Sequence, residues 1–194
     1  LREVLPGNAM IATAVASPLL TPFKLTFFAA LFLVMPVVLF QVWNFIAPGL
    51  YKNEKRFAIP LLATSIVLFY LGIAFAYFVV FPLIFGFFTS IAPEGVEVQT
   101  DITQFLDFIT TIVFAFGIAF EVPVATVLIV WAGLTDIEKL GKARPYVFLM
   151  AFIAGMFLTP PDVISQSLLA VPVYLLYELG IIMSRIFIKN KTDD

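Results

Sequence analysis

Apolar positions in this chain come in long unbroken blocks, and polar residues gather in the short stretches between them. From Leu25 to Tyr51 there are 27 residues without a formal charge, and from Phe57 to Pro93 there are 37 more. About 20 apolar residues suffice to cross ~30 Å of hydrocarbon. The blocks therefore predict membrane-crossing helices, with spans at about 23–47, 57–88, 102–131, 145–158 and 163–184. The expected fold class is all-α, a polytopic membrane helix bundle, with residues 1–194 forming one membrane-embedded domain.

The polar breaks set the orientation. The first, Pro48-Gly49-Leu50-Tyr51-Lys52-Asn53-Glu54-Lys55-Arg56, has a turn signal and three cations, and Trp43 and Tyr51 beside it are rings that favour the headgroup zone. It reads as a cytoplasmic loop. Residues 1–22, broken by Pro6, Pro18 and Pro22, read as an extracytoplasmic cap, and Lys24 can snorkel to the interface. Segment 89–101 holds Glu94, Glu97 and Asp101 without a cation and belongs outside; 132–144 carries Lys139, Lys142 and Arg144 and belongs inside. The tail 185–194 is expected in the cytoplasm. Nine Lys or Arg thus fall on one side, while Arg2 and Lys24 fall on the other, a strong positive-inside signal that puts residue 1 outside. A chain that begins outside without an initiator methionine is expected to lack a preceding span.

Proline adds local detail. Pro36 removes a backbone donor inside the first span and frees the Phe32 carbonyl, so a kink is expected; Pro82 should bend the outer end of the second. The stretch 145–158 offers 14 residues before Thr159-Pro160-Pro161-Asp162 turns the chain, which covers only about 21 Å. That hairpin is either re-entrant or set in thinned bilayer.

Composition agrees: 62% of residues are hydrophobic and 12% charged, against about 45–50% and about 25% in soluble domains. With no cysteine and no histidine, disulfides, thiol or imidazole catalysis and the usual metal sites are excluded, and no cofactor is expected. A net charge of −2 without a basic face argues against a nucleic-acid partner.

Few residues can carry chemistry. Glu121 has 13 uncharged residues before it and 14 after, which puts a carboxyl group near mid-membrane, where it costs several kcal/mol unless protonated, paired or wet. Pro123 leaves the Ala119 carbonyl without a donor, so the helix is locally open there. Glu121 is either a proton-accepting or partner-binding group in a concave face, or a neutral carboxyl bonded to a neighbouring helix. Glu178, near Tyr174 and Tyr177, reads as a carboxylate reaching water or Arg185. Asp162 is placed to cap the last helix, with Thr159 and Gln166 close to it. Glu54 is either a solvated loop charge or, beside Phe45, Pro48 and Tyr51, a carboxylate at a low-dielectric edge able to take a guanidinium in a two-point grip.

Five motifs in one order are distinctive: Phe45-Ile46-Ala47-Pro48-Gly49-Leu50-Tyr51-Lys52-Asn53-Glu54-Lys55-Arg56, Ala76-Tyr77-Phe78-Val79-Val80-Phe81-Pro82, Ala115-Phe116-Gly117-Ile118-Ala119-Phe120-Glu121-Val122-Pro123, Arg144-Pro145-Tyr146 and Leu158-Thr159-Pro160-Pro161-Asp162. Together they resemble the TatC family, the multispanning subunit of the twin-arginine protein translocase, over essentially the whole chain. The resemblance implies a six-span glove-shaped bundle, of which five spans are present, in the bacterial inner membrane with a cytoplasmic C-terminus. It implies a non-enzymatic receptor for the twin-arginine signal peptides of folded cargo, driven by the proton gradient. Phe45 and Glu54 would meet the signal peptide, and Glu121 would be the buried polar residue of the concave face. Met156, Thr159 and Gln166 would dock single-span partners of the TatA and TatB type, in a hetero-oligomeric complex containing several copies of this chain. The alternative from the residues alone is a small proton-coupled transporter using Glu121 and Glu178. An intramembrane protease is disfavoured, since the chain has no histidine and no aspartate pair within the spans.

Overall fold

A computed structural model describes residues 17–46, 55–91, 101–159 and 163–192. These form seven α-helices and one π-helical turn: α1 (Ser17–Ile46), α2 (Lys55–Phe75), the π-helical turn (Ala76–Val80), α3 (Phe81–Ile91), α4 (Ile102–Ala119), α5 (Val122–Trp131), α6 (Ile137–Leu158) and α7 (Val163–Thr192). Five stretches among the described residues are long and apolar enough to cross a membrane: Leu19–Asn44, Pro60–Ser90, Ile102–Trp131, Ile137–Leu158 and Val163–Ile186. The all-α reading holds, and α2 runs into α3 and α4 into α5 as single spans interrupted by local irregularities.

Each irregularity has a proline behind it. Pro82 cannot donate to the Phe78 carbonyl, and one turn earlier the ladder widens to the π form, with the Phe81 amide donating to the Ala76 carbonyl. Pro123 leaves the Ala119 carbonyl open, and the helix breaks at Phe120–Glu121, where the Glu121 amide falls back on the Ile118 carbonyl at 3.0 Å. Pro36 lies within continuous α1, and the Phe32 carbonyl it frees accepts from the Tyr70 hydroxyl on α2 at 3.0 Å. A neighbouring side chain thus replaces the lost backbone donor.

Two boundaries and the setting of one side chain differ from expectation. α1 begins at Ser17, so the end of the expected cap is helical; Pro18 sits in the first turn, where a missing amide costs little. α6 begins at Ile137 rather than 145, because extended Asp136 opens it, Glu138 favours its first turn and Ile137 to Ala143 are compatible with helix. Its 22 residues cover about 33 Å, so α6 itself is not short; only the uncharged part after Arg144 is. Trp43 does not face the headgroups: it is buried against Leu61, Val124 and Val127, where α1, α2 and α5 meet.

The main core joins α2, the π turn and α3 (Ala76, Val80, Phe81, Ile84) to α4 (Ile112, Val113, Phe116) and α7 (Leu169, Leu176). Lipid is as apolar as these side chains, so close packing rather than water exclusion must hold the helices together. Glycine permits the closest approach: a Cβ on Gly72 would lie 2.5 Å from the Phe116 carbonyl oxygen. On the other side, Gly180 of α7 lies against Pro123 and Thr126 of α5.

Candidate functional site

The site is built on the break between α4 and α5. Because the ladder opens at Phe120–Glu121, the Glu121 side chain leaves the span where no continuous helix shields it. Phe120 and Val124 are buried on either side of it, while Glu121 itself is half-buried. Its Oε2 accepts from the hydroxyl of Ser65, a residue of α2 only 1% exposed. Its Oε1 is buried and has no hydrogen-bond partner among the described residues. An unmatched charged acceptor in a low-dielectric region is costly, which favours the neutral carboxyl at this position. Thr126, one turn on, offers it no donor, since its hydroxyl is turned back onto the Val122 carbonyl.

A second polar cluster closes the α6–α7 hairpin. Arg144 Nη2 donates to Glu178 Oε2 at 2.8 Å, with Nε 2.7 Å from Oε1. The guanidinium thus hydrogen-bonds one carboxylate oxygen through Nη2 and faces the other across a short ion-pair contact without a second hydrogen bond. Tyr174 donates to Glu178 Oε1 at 2.9 Å, and Tyr177 to the Leu140 carbonyl at 2.9 Å. Glu178, expected to reach water or Arg185, is instead held by Arg144 and Tyr174 and keeps a partly exposed side chain.

Near the far end of the same hairpin lie three predicted docking residues, in different environments. Met156 is 49% exposed. Thr159 is buried and donates to the Gly155 carbonyl at 2.9 Å, closing α6. Gln166 reaches from α7 to the Phe152 carbonyl at 2.6 Å, packing where Gly155 leaves room for it. Met156 faces outward, Thr159 closes its own helix, and Gln166 locks α7 to α6. Glu54 and Asp162 lie outside the described residues, as does the side chain of Phe45, which falls in the last turn of α1.

Sequence reasoning missed Ser65, Arg144 as the partner of Glu178, and the Lys24–Asp107 pair, 2.9 Å apart and half-exposed, which ties α1 to α4. Ser65 had one signal: with Thr64 it forms a pair of adjacent hydroxyls within the 37-residue uncharged run. The two ion pairs join residues 34 and 83 positions apart, which no local spacing announces. Among the described residues no cluster of acidic side chains is fit to hold a metal.

Residues 1–172 match the family described as Sec-independent protein translocase protein (TatC). The chain is 64% identical over 182 residues to the Sec-independent protein translocase protein TatC of Azotobacter chroococcum mcd 1, covering 93% of this chain and 71% of that one. It is 57% identical over 188 residues to the protein of the same name from Escherichia coli K12, covering 97% and 73%. The crystal structure of the twin arginine translocase receptor TatC superposes with a TM-score of 0.85 at 36% identity, over 95% of this chain and 82% of that one. Sequence match and fold agree: this chain belongs to the TatC family of Sec-independent protein translocase proteins.

Proposed function

We propose that this multi-pass component of the Sec-independent translocase, which is not an enzyme, receives twin-arginine signal peptides of folded cargo at the cytoplasmic segment joining α1 to α2. Family membership, with the fold of a protein described as the twin arginine translocase receptor, carries the reading. Glu54 accepts the guanidinium pair and Phe45 borders it. A carboxylate at a membrane edge grips planar, permanently charged guanidinium at two points, which ammonium cannot match, so the signal must be Arg-Arg rather than Lys-Lys.

Single-span partners of the TatA and TatB type then dock on the bundle in the bacterial inner membrane, and the proton gradient drives export. The exposed Met156 on the hairpin supports docking. The nine cations of the inner segments support a cytoplasmic C-terminus. The transporter alternative has no supporting observation, because Glu178, its second relay group, is held by Arg144 and Tyr174.

The test is photo-crosslinking in membranes from positions 45 and 54 of the full-length protein to a signal peptide bearing Arg-Arg or Lys-Lys. Preferential Arg-Arg adducts at position 45, lost on Glu54→Ala, are expected. Equal adducts from both peptides would return Glu54 to a solvated loop charge.

A further inference from the structure

α6 meets the rest of the bundle chiefly through α7, and polar bonds make the connection. At its inner end Arg144 pairs with Glu178, which Tyr174 also holds, and the Tyr177 hydroxyl donates to the Leu140 carbonyl. Farther out, Gln166 donates to the Phe152 carbonyl. Apolar contact is thin by comparison, since the buried residues of α6 are Ala151 and Gly155, both small. Where α6 passes α4 the fold leaves an apolar cavity of about 150 Å³. Ala115 and Ala119 wall it on α4, Ala151 and Ala154 on α6, and Leu169 and Val173 of α7 complete the lining.

Two forces on α6 are therefore opposed. Small residues about one turn apart let membrane helices approach closely, and such packing is what draws helices together in lipid. An empty apolar volume forfeits it. Packing thus favours α6 moving onto α4, while the ion pair and hydrogen bonds to α7 hold it off. α7 cannot follow, because Gly180 is pressed against Thr126 and Pro123, and Leu169 and Leu176 belong to the main core.

We propose that α6 is a strap with two seats: the open one seen here, latched to α7 through Glu178, and a closed one, with that latch released, in which α6 lies on α4 and the cavity is collapsed. α6 also carries Met156, so closure moves the side chain given a docking role above. That consequence rests on the docking reading; the strap does not.

The test measures distances in the full-length protein in nanodiscs, without partners, so it reads the strap alone. Spin labels go at Thr111 of α4 and Met150 of α6, both exposed and each one turn from a cavity wall. Glu178→Ala, and Arg144→Gln from the other side of the pair, should shorten the native distance by about 2 Å, the difference between helices spaced by large and by small residues. Ala115→Leu with the latch intact should leave the distance unchanged and raise the unfolding temperature by about 2–4 °C, because the cavity takes the added carbons. Combined with Glu178→Ala it should abolish the shortening. Distances unmoved by both latch variants, as when a lipid chain fills the cavity permanently, would overturn the proposal. So would a shortening that survives Ala115→Leu, or an Ala115→Leu protein whose helices are pushed apart with the latch intact.

Discussion

The Tyr70 hydroxyl on α2 donates to the Phe32 carbonyl on α1 at 3.0 Å, and Phe32 is the residue whose carbonyl Pro36 deprives of a helical donor. The proline's local defect has become a tertiary contact. Tyr70→Phe should cost about 1 kcal/mol of unfolding free energy in lipid–detergent micelles. In a Pro36→Ala background the amide is restored and the same change should cost much less. Equal costs in both backgrounds would show that the two residues are independent.

Two glycines on one span should behave oppositely. At Gly72 a Cβ meets the Phe116 carbonyl oxygen at 2.5 Å and Phe120 Cβ at 3.0 Å, and backbone cannot step aside. Gly72→Ala should destabilise by about 1–3 kcal/mol or more. At Gly86, in α3, nothing lies within 4 Å of a Cβ, so Gly86→Ala should stabilise by about 0.5–1 kcal/mol. Thermal unfolding of both variants in nanodiscs checks the contrast.

The ion pairs should rank by geometry and exposure. Arg144 and Glu178 are 43% and 24% exposed and share two contacts, whereas Lys139 and Asp136 are 70% and 75% exposed and share one at 3.2 Å. Glu178→Ala should cost about 1–3 kcal/mol, since it also strips Tyr174 of its acceptor, and Lys139→Ala under about 0.5 kcal/mol. Arg144→Lys should fall between, because an ammonium keeps the charge and loses the Nη2 hydrogen bond. Parallel denaturation series would show the order.

Pro123→Ala gives the Ala119 carbonyl a donor again and should join α4 to α5 as one rod. Spin labels at Thr111 and Ile129, both exposed, would report a longer and narrower distance distribution. An unaltered distribution would assign the break to packing instead of to the proline.

What could be read without coordinates follows a physical line. Uncharged runs announce spans, and prolines announce which carbonyls go unpaired, so the five crossings, the freed Phe32 carbonyl and the open helix at Glu121 were all legible. Burial against a particular neighbour was not. Trp43 has the composition of a headgroup ring and the location of a core residue, because three helices converge on it. The helical start at Ile137 was obscured since charged residues were taken as loop, although charge decides depth in the membrane and not backbone conformation. Arg144, Glu178 and Ser65 found partners on other elements, a matter of docking angles that periodicity does not encode.

The interruption at Phe120–Glu121 divides labour within the molecule. α4 lies chiefly along α2, while α5 lies along α7, which also carries α6. One span thus serves two packing partners, its first half on α2 and its second on α7, while the shared core of Phe116, Leu169 and Leu176 keeps the halves together. Ser65 on α2 and Glu121 at the interruption are joined by a bond between side chains, so the point where the rod is cut is also the point where a neighbouring helix takes hold of it.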